Sequence, residues 1–592
     1  MIPVDDHAAS RHTEHRAPFF VVAAMNATTM SLKPTAPFVP QIRLYQNWLH
    51  QQRGLTFDSY DALWRWSITD LPAFWQSIWD YFDLQSPTPH TAVLRDSGMP
   101  GAVWFEGAQF NYVHQVFRHV APAQAAGMAA IISHNEASLG HCAASELSWP
   151  ELRRQVASLA LHLRAQGVQP GDRVAAYLPN VPQAMLAFLA VASIGAVWSI
   201  CAPDMGTAAV LDRFTQIAPV VLIGCDAVRY GGRELDRMAV MQALCAALPS
   251  LRHVVLLRQS STGAGSHDEV QTPSLIAVGA DFTSATARND DHTEAFEPLW
   301  LPFNHPLWIV YSSGTTGLPK AIVHGHGGTV IVALALKVLH NDIGCSYAGN
   351  SFGERYHWYS STGWVMWNAQ MSGLLNGTTC CLYDGNPAGR TTDAAGHHQP
   401  PDWATLWRFA AELGVTFFGA GAAFFANCMK AGLDLTQFPG LATVRALGCT
   451  GSPLSAQTQE WGTEQFARIQ AATLREIARP AADSEPHEMG EHGGNIEGMF
   501  SRRAAPRENA APSGGSEPHA VGERGGNIEG MFSRRAAPRE NATPSGGREL
   551  HEVNDRGGMF SEGPLPRENA TPSGGRALHE VSNRGGYLDG SR

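Results

Sequence analysis

The sequence predicts an α/β fold with parallel sheets, and three observations carry the prediction. Short apolar runs alternate with helix-length stretches from about residue 126 to 258. The runs are apolar on consecutive residues, as in Val174-Ala175-Ala176-Tyr177-Leu178. The same alternation resumes from 307 to 456. Strands that alternate with helices imply crossover connections, and strands covered on both faces read as unbroken apolar runs. At 592 residues the chain also exceeds a single hydrophobic core and should divide into several units.

In chain order, residues 1–44 are expected to be poorly ordered. Pro18 to Ala24 is a short apolar run with no basic segment before it, so no secretory leader is indicated, and Met25 or Met30 reads as the true start. Residues 45–85 read as helical and carry Trp48, Trp64, Trp66, Trp75 and Trp79. Phe74 and Trp75 meet Ile78, Trp79 and Phe82 at helical spacing, which predicts packing against a core. The predicted strands are Ala129 to Ile132, Val174 to Leu178, Val220 to Ile223 and Val254 to Leu257, with a helix over 150–165 between the first two. Ala184 to Ala202 is free of charge over nineteen residues, the length of a membrane span. Gly195 divides it, and Val197, Trp198 and Ile200 follow the break, so the stretch reads as a helix led by Pro182 and then a buried strand. Leu307 to Val310 and Val415 to Phe418 are later strands of the same kind.

After about 470 the composition changes. Residues 493–510 recur at 525–542, and Pro-Arg-Glu-Asn-Ala returns at 566–570. Units of Gly, Pro, Ser, Arg and Glu offer too little apolar area to offset the entropy of ordering, so 480–592 reads as disordered.

Bulk composition narrows the function. With 44% apolar and 16% charged residues and a net charge of −11, the chain has no basic excess of the kind that nucleic-acid binders carry. The nine cysteines form no CxxC pair and no His/Cys ligand spacing. They read as reduced thiols of a cytoplasmic protein, with no metal site.

The most informative segment is Tyr311-Ser312-Ser313-Gly314-Thr315-Thr316-Gly317-Leu318-Pro319-Lys320. Its glycines and hydroxyls make a turn rich in donors that can wrap phosphate oxygens, and Lys320 adds a positive charge. It is not a Walker A loop, because Gly317 is followed by Leu-Pro-Lys.

Continued by Ala321-Ile322-Val323-His324-Gly325, this loop resembles the phosphate-binding signature of the adenylate-forming, AMP-releasing acyl-CoA synthetases. The likeness runs in continuous order over roughly 45–465 and is strongest to the acetoacetate-activating members. It is carried by Trp64 to Phe82, Met99-Pro100-Gly101, Phe110-Asn111-Tyr112, Tyr177-Leu178-Pro179-Asn180, Ala202-Pro203-Asp204-Met205-Gly206 and Tyr230-Gly231-Gly232-Arg233. Further on, Ser361 to Asn368 and Thr450 to Leu454 match. The resemblance implies a cap region at 45–115, a large AMP-binding domain of layered sheets flanked by helices at 116–470, and a tail at 471–592. It implies small-molecule substrates: ATP with Mg²⁺, acetoacetate and CoA. Ser312, Ser313, Gly314, Thr315, Thr316, Gly317 and Lys320 would hold the triphosphate, with Thr315, Thr316 and Lys320 acting on the reaction. Gly451, Ser452 and Pro453 match the segment beside the adenine. Trp364, Met366, Gly419, Ala420 and Thr450 match the acyl pocket, and Arg229 and Arg233 match contacts to a CoA phosphate.

Members of the family continue past the Gly-Ser-Pro segment with an aspartate for the ribose and a small C-terminal domain that delivers a lysine. Neither is found after Trp461, and no lysine follows Lys430. The large domain is therefore expected to be incomplete. Three readings stand: a working acetoacetate–CoA ligase, a truncated or frame-shifted remnant that at most binds nucleotide or CoA, and a non-catalytic interaction protein whose repeats recruit a partner.

Overall fold

The computed structural model describes residues 37–260, 279–312, 317–392 and 396–477. The disorder read for 480–592, the repeats and most of the loose N-terminus lie outside these residues. Within them, order begins earlier than expected: the helix Gln41–Arg53 starts four residues before the boundary at 45.

Three helices, Gln41–Arg53, Tyr60–Thr69 and Leu71–Tyr81, hold the aromatic cluster. Their ends follow local chemistry. Gly54 closes the first in a left-handed conformation, and the Ser59 hydroxyl accepts from the Ala62 N–H to open the second. Asp70 accepts from the Ala73 N–H to open the third, with proline in its first turn. Trp79 lies against Phe105 with ring centroids 4.8 Å apart, and Phe74, Trp75 and Phe82 pack on the same core, whereas Trp64 is exposed.

Two larger sheets follow. The seven-stranded sheet runs in spatial order Gly279–Asp281, His253–Leu257, Val221–Cys225, Arg173–Tyr177, Val197–Cys201, Pro306–Ser312 and Lys320–Gly325. All pairs are parallel except the last. The six-stranded sheet runs Ala446–Thr450, Phe417–Gly421, Arg355–Trp358, Thr379–Asp384, Ala129–Asn135 and Ser145–Ser148, again parallel except at its last pair. The helix Trp149–Ala165 stands where its pattern placed it, opened by Ser148 accepting from the Glu151 N–H.

The uncharged stretch resolves as read. Pro182–Ser193 is a buried helix, Gly195 turns with φ +75°, and Val197–Cys201 is a buried strand inside the seven-stranded sheet. Among the described residues no helix is long and apolar enough to cross a membrane. All nine cysteines are free thiols.

The sheets meet at the carboxyl ends of their strands. The Thr362 hydroxyl donates to the Leu178 carbonyl at 2.8 Å, and the Asn180 amide donates to the Tyr383 carbonyl at 3.3 Å. The Tyr177 hydroxyl donates to Pro203 O at 2.9 Å, folding the 202–206 loop over its own strand end. Ligands in open α/β sheets bind at such ends, where loops diverge from a fixed scaffold.

Candidate functional site

The predicted phosphate loop lies between the strands Pro306–Ser312 and Lys320–Gly325, which pair antiparallel with Ser312 opposite Lys320. Both ends are tied to the helix Thr207–Ile217. The Tyr311 hydroxyl accepts from Ser199 at 3.3 Å and donates to the Arg213 carbonyl at 3.1 Å. The Gln216 amide donates to the Pro319 carbonyl at 2.8 Å. Lys320 is exposed. Ser313, Gly314, Thr315 and Thr316 lie outside the described residues.

Gly451, Ser452 and Pro453 follow the edge strand Ala446–Thr450 and are exposed, as is Thr450. Gly451 has φ +95°, a conformation that side chains disfavour, so the turn requires glycine. The strands flanking the predicted phosphate loop thus belong to one sheet, and the Gly-Ser-Pro segment follows an edge strand of the other.

The residues expected at an acyl pocket divide between two faces. Gly419 and Gly448 are register partners, and the Trp358 indole lies across both. Met366 packs on the same small cluster of Ile343, Tyr356, Trp358 and Phe417. Trp364 stands 62% exposed just before the helix Val365–Met371. Ala420 points the other way: its methyl is buried in the cluster with Trp407, Phe418 and Phe424, because neighbours along a strand alternate faces. The structure brings Met366 and Gly419 together and puts Ala420 on the opposite side of the sheet.

Arg229 and Arg233 sit on a hairpin, Ala227–Tyr230 with Arg233–Asp236, turned by Gly231 and Gly232. Both glycines have positive φ, +63° and +85°, which is what a two-residue hairpin turn of this twist requires. Pairing sets Arg229 opposite Glu234 and Arg233 opposite Tyr230, so the two arginines project from opposite faces of the ribbon. Arg229 is engaged with Glu234 at 3.2 Å. Arg233 is exposed and has no ion pair among the described residues.

Two acidic residues were not visible as site residues in the sequence. Glu136, 5% exposed, follows the strand Ala129–Asn135, and its carboxylate accepts from Gly231 N (2.7 Å), Gly232 N (2.7 Å) and Asn386 N (2.6 Å). Asp384 ends the adjacent strand; burial, and then the nearby Glu136 charge, push its carboxyl up to about 7. Glu136's partners lie 95 to 250 residues away in sequence, which no local pattern signals.

A family model described as "AMP-binding enzyme" matches residues 120–474, more than half of the chain. The chain belongs to the AMP-binding enzyme family. A second model, "Acetyl-coenzyme A synthetase N-terminus", matches residues 60–116 of this AMP-binding enzyme. An acetoacetyl-CoA synthetase of Xenopus tropicalis is 34% identical over 430 residues, covering 72% of this chain and 60% of that protein. A malonamoyl-CoA synthetase of Penicillium aethiopicum is also 34% identical, over 440 residues, covering 73% and 59%. Among solved structures, an acetoacetyl-CoA synthetase from Streptomyces lividans superposes with a TM-score of 0.64 at 39% identity, covering 74% of this chain and 63% of that one. The chain spans about three-fifths of the length of these relatives.

Proposed function

We propose that this AMP-binding enzyme activates acetoacetate. A carboxylate oxygen of acetoacetate attacks the α-phosphorus of ATP, the bond to the leaving pyrophosphate breaks, and an acyl-adenylate forms. The thiol of CoA then displaces AMP to give acetoacetyl-CoA. The observation that carries the reading is the phosphate loop itself, a ten-residue signature held at both ends by Tyr311 and Gln216 on a strand end where ligands bind. Charge builds on phosphate oxygens in the first step, so the chain's task is positioning and electrostatic stabilisation.

In this reading Ser312, Ser313, Gly314, Thr315, Thr316 and Gly317 hold the triphosphate through N–H and hydroxyl donors, and Lys320 supplies the charge. Mg²⁺ would arrive with the phosphates, whose oxygens suit a hard cation. Among the described residues no group of three or more His, Cys, Asp or Glu is placed to hold a metal on its own. Gly451, Ser452 and Pro453 flank the adenine. Met366, Gly419 and Thr450 border the acyl group with Trp364, while Ala420 supports them from behind. Arg229 and Arg233 serve a CoA phosphate. We further propose a cytoplasmic setting, small-molecule partners only, and the domain division 45–115 and 116–470.

Acetoacetate is favoured by the acetoacetyl-CoA synthetases of Xenopus and Streptomyces, whereas the malonamoyl-CoA synthetase shows that equal identity accompanies another short acid. The test is to supply the full chain with ATP, CoA and either acetoacetate or malonamate and to follow acyl-CoA and AMP together. The proposal expects acetoacetyl-CoA and AMP in equal amounts. ATP binding without either product would favour the binding-only remnant instead.

A further inference from the structure

We propose that Glu136 is a positioning residue that clamps the Gly231-Gly232 turn and so presents Arg233 to a CoA phosphate; the CoA part rests on the functional reading above. In a two-residue hairpin turn the N–H groups of both turn residues face outward, away from the strand ladder. Successive N–H groups in such a conformation form a concavity that binds anions. Here the concavity is filled from within the chain. Oε1 of Glu136 accepts from Gly231 N and Oε2 from Gly232 N, both at 2.7 Å.

A third N–H, from Asn386 at 2.6 Å, brings in the loop after the strand Thr379–Asp384. The guanidinium of Arg390 donates to the Glu136 carbonyl at 2.9 and 3.2 Å, fixing the residue by its backbone as well. One carboxylate therefore joins three segments: its own strand end in the six-stranded sheet, the 385–390 loop, and the hairpin bearing the arginines. Among the described residues the carboxylate forms no ion pair, so its charge is met by backbone donors. Such charge-assisted bonds are short and strong.

The surroundings fit a fixed turn. A Cβ added at Gly231 would lie 2.7 Å from the Thr391 hydroxyl, and one at Gly232 would lie 2.2 Å from the Thr392 carbonyl. The turn is thus walled on one side by 391–392 and held by Glu136 through its N–H groups. Arg233 is the residue immediately after the clamped glycines, exposed and outside any ion pair described. Arg229, already engaged with Glu234, is the less available of the two. A flexible turn would present Arg233 over many orientations, and the cost of ordering it would be subtracted from CoA affinity.

The experiment titrates the full chain with CoA and separately with ATP by calorimetry, comparing wild type, Glu136→Gln, Arg229→Ala, Arg233→Ala and Glu136→Gln/Arg233→Ala. Glu136→Gln keeps the shape but turns an amide donor toward N–H groups. CoA affinity is expected to fall roughly tenfold, the scale of one charge-assisted hydrogen bond, with ATP affinity within about twofold. Arg233→Ala should weaken CoA more than Arg229→Ala. The double variant should be little weaker than Arg233→Ala alone, because the clamp acts through that arginine.

If Arg233→Ala loses CoA affinity while Glu136→Gln keeps it, the clamp is wrong and the CoA reading stands. If neither arginine variant changes CoA affinity, the CoA reading fails and takes the clamp's purpose with it. Should Glu136→Gln not fold, amide exchange in the wild-type chain decides. The proposal expects Gly231 and Gly232 to exchange at least about a hundredfold slower than free peptide, and exchange at the peptide rate overturns it.

Discussion

Replacing Gly419 by alanine should destabilise the chain, against the usual sign of such a change in a strand. Glycine in a strand interior normally costs about 0.5–1 kcal/mol relative to alanine, so Gly→Ala should gain. At Gly419 the new Cβ would stand 2.3 Å from Cδ2 and 2.4 Å from Cε3 of Trp358. Carbon atoms in contact rest about 3.5–4.0 Å apart, so the indole would have to move by about 1 Å. It has little room. Trp358 is 7% exposed, stacks on Phe417 with centroids 6.0 Å apart, and also covers Gly448, whose own added Cβ would lie 2.4 Å from Cζ3.

Overpacking of this kind costs about 1–3 kcal/mol, and the rigid ring puts Gly419→Ala near the upper end, at about 2 kcal/mol net of the strand gain. The decisive measurement is a double-mutant cycle by denaturant unfolding followed by far-ultraviolet circular dichroism. Trp358→Ala alone should cost about 3–5 kcal/mol through the cavity it leaves. In that background Gly419→Ala should be neutral or slightly stabilising, a coupling of about 2 kcal/mol. An equal cost of Gly419→Ala in both backgrounds would refute the reasoning, because the methyl would then be clashing with something other than the indole.

Other consequences are as direct. Asp384→Asn should stabilise the chain increasingly as pH rises: with the folded carboxyl near 7 against an ordinary 3.8, the native state binds the extra proton, so the stability it contributes is complete below 3.8 and lost through about 7. Between pH 5 and 8 the advantage of the variant over wild type should grow by roughly 2.5 kcal/mol in thermal or denaturant unfolding, about 1.4 kcal/mol for each pH unit up to 7. Arg445→Ala should cost about 3 kcal/mol in the same assay, because Glu354 is 1% exposed and accepts from Arg445 at 2.5 Å; the variant leaves a buried carboxylate unpaired and a gap between Phe38 and Phe352. Gln216→Ala removes the side-chain tie to Pro319 and should weaken ATP binding by roughly three- to tenfold in calorimetry while leaving the unfolding midpoint nearly unchanged.

The parts of this molecule that are local in sequence were legible there. The strand at 173–177 announced itself as an unbroken apolar run because both faces are buried. The helix and strand within 182–201 were separable because Gly195 stands between them with positive φ. The phosphate loop was legible as a signature and the strand before it as an apolar run, but the strand Lys320–Gly325 that pairs back after it was not read from the sequence. What escaped was set by pairing across the fold. The opposite orientations of Arg229 and Arg233 depend on hairpin register, and Ala420 turns away from Gly419 because a strand alternates faces. Glu136 carries no sequence signal because its donors are backbone N–H groups of distant residues, which any residue type could supply. The helix at Gln41–Arg53 began before the expected boundary because its first turn is tied to distant residues: Gln41 N donates to Asp342, and Val39 N to Asn350.

The central claim is that the loop ending at Lys320 holds ATP for attack by acetoacetate, and exchange of labelled pyrophosphate into ATP reads that step alone, without CoA. Full-length protein should exchange label only when ATP and acetoacetate are both present, and Lys320→Ala should lower the rate by roughly a hundredfold, the scale of removing one preorganised group that stabilises the transition state. Exchange that is absent, that ignores acetoacetate, or that is as fast in Lys320→Ala would contradict the account.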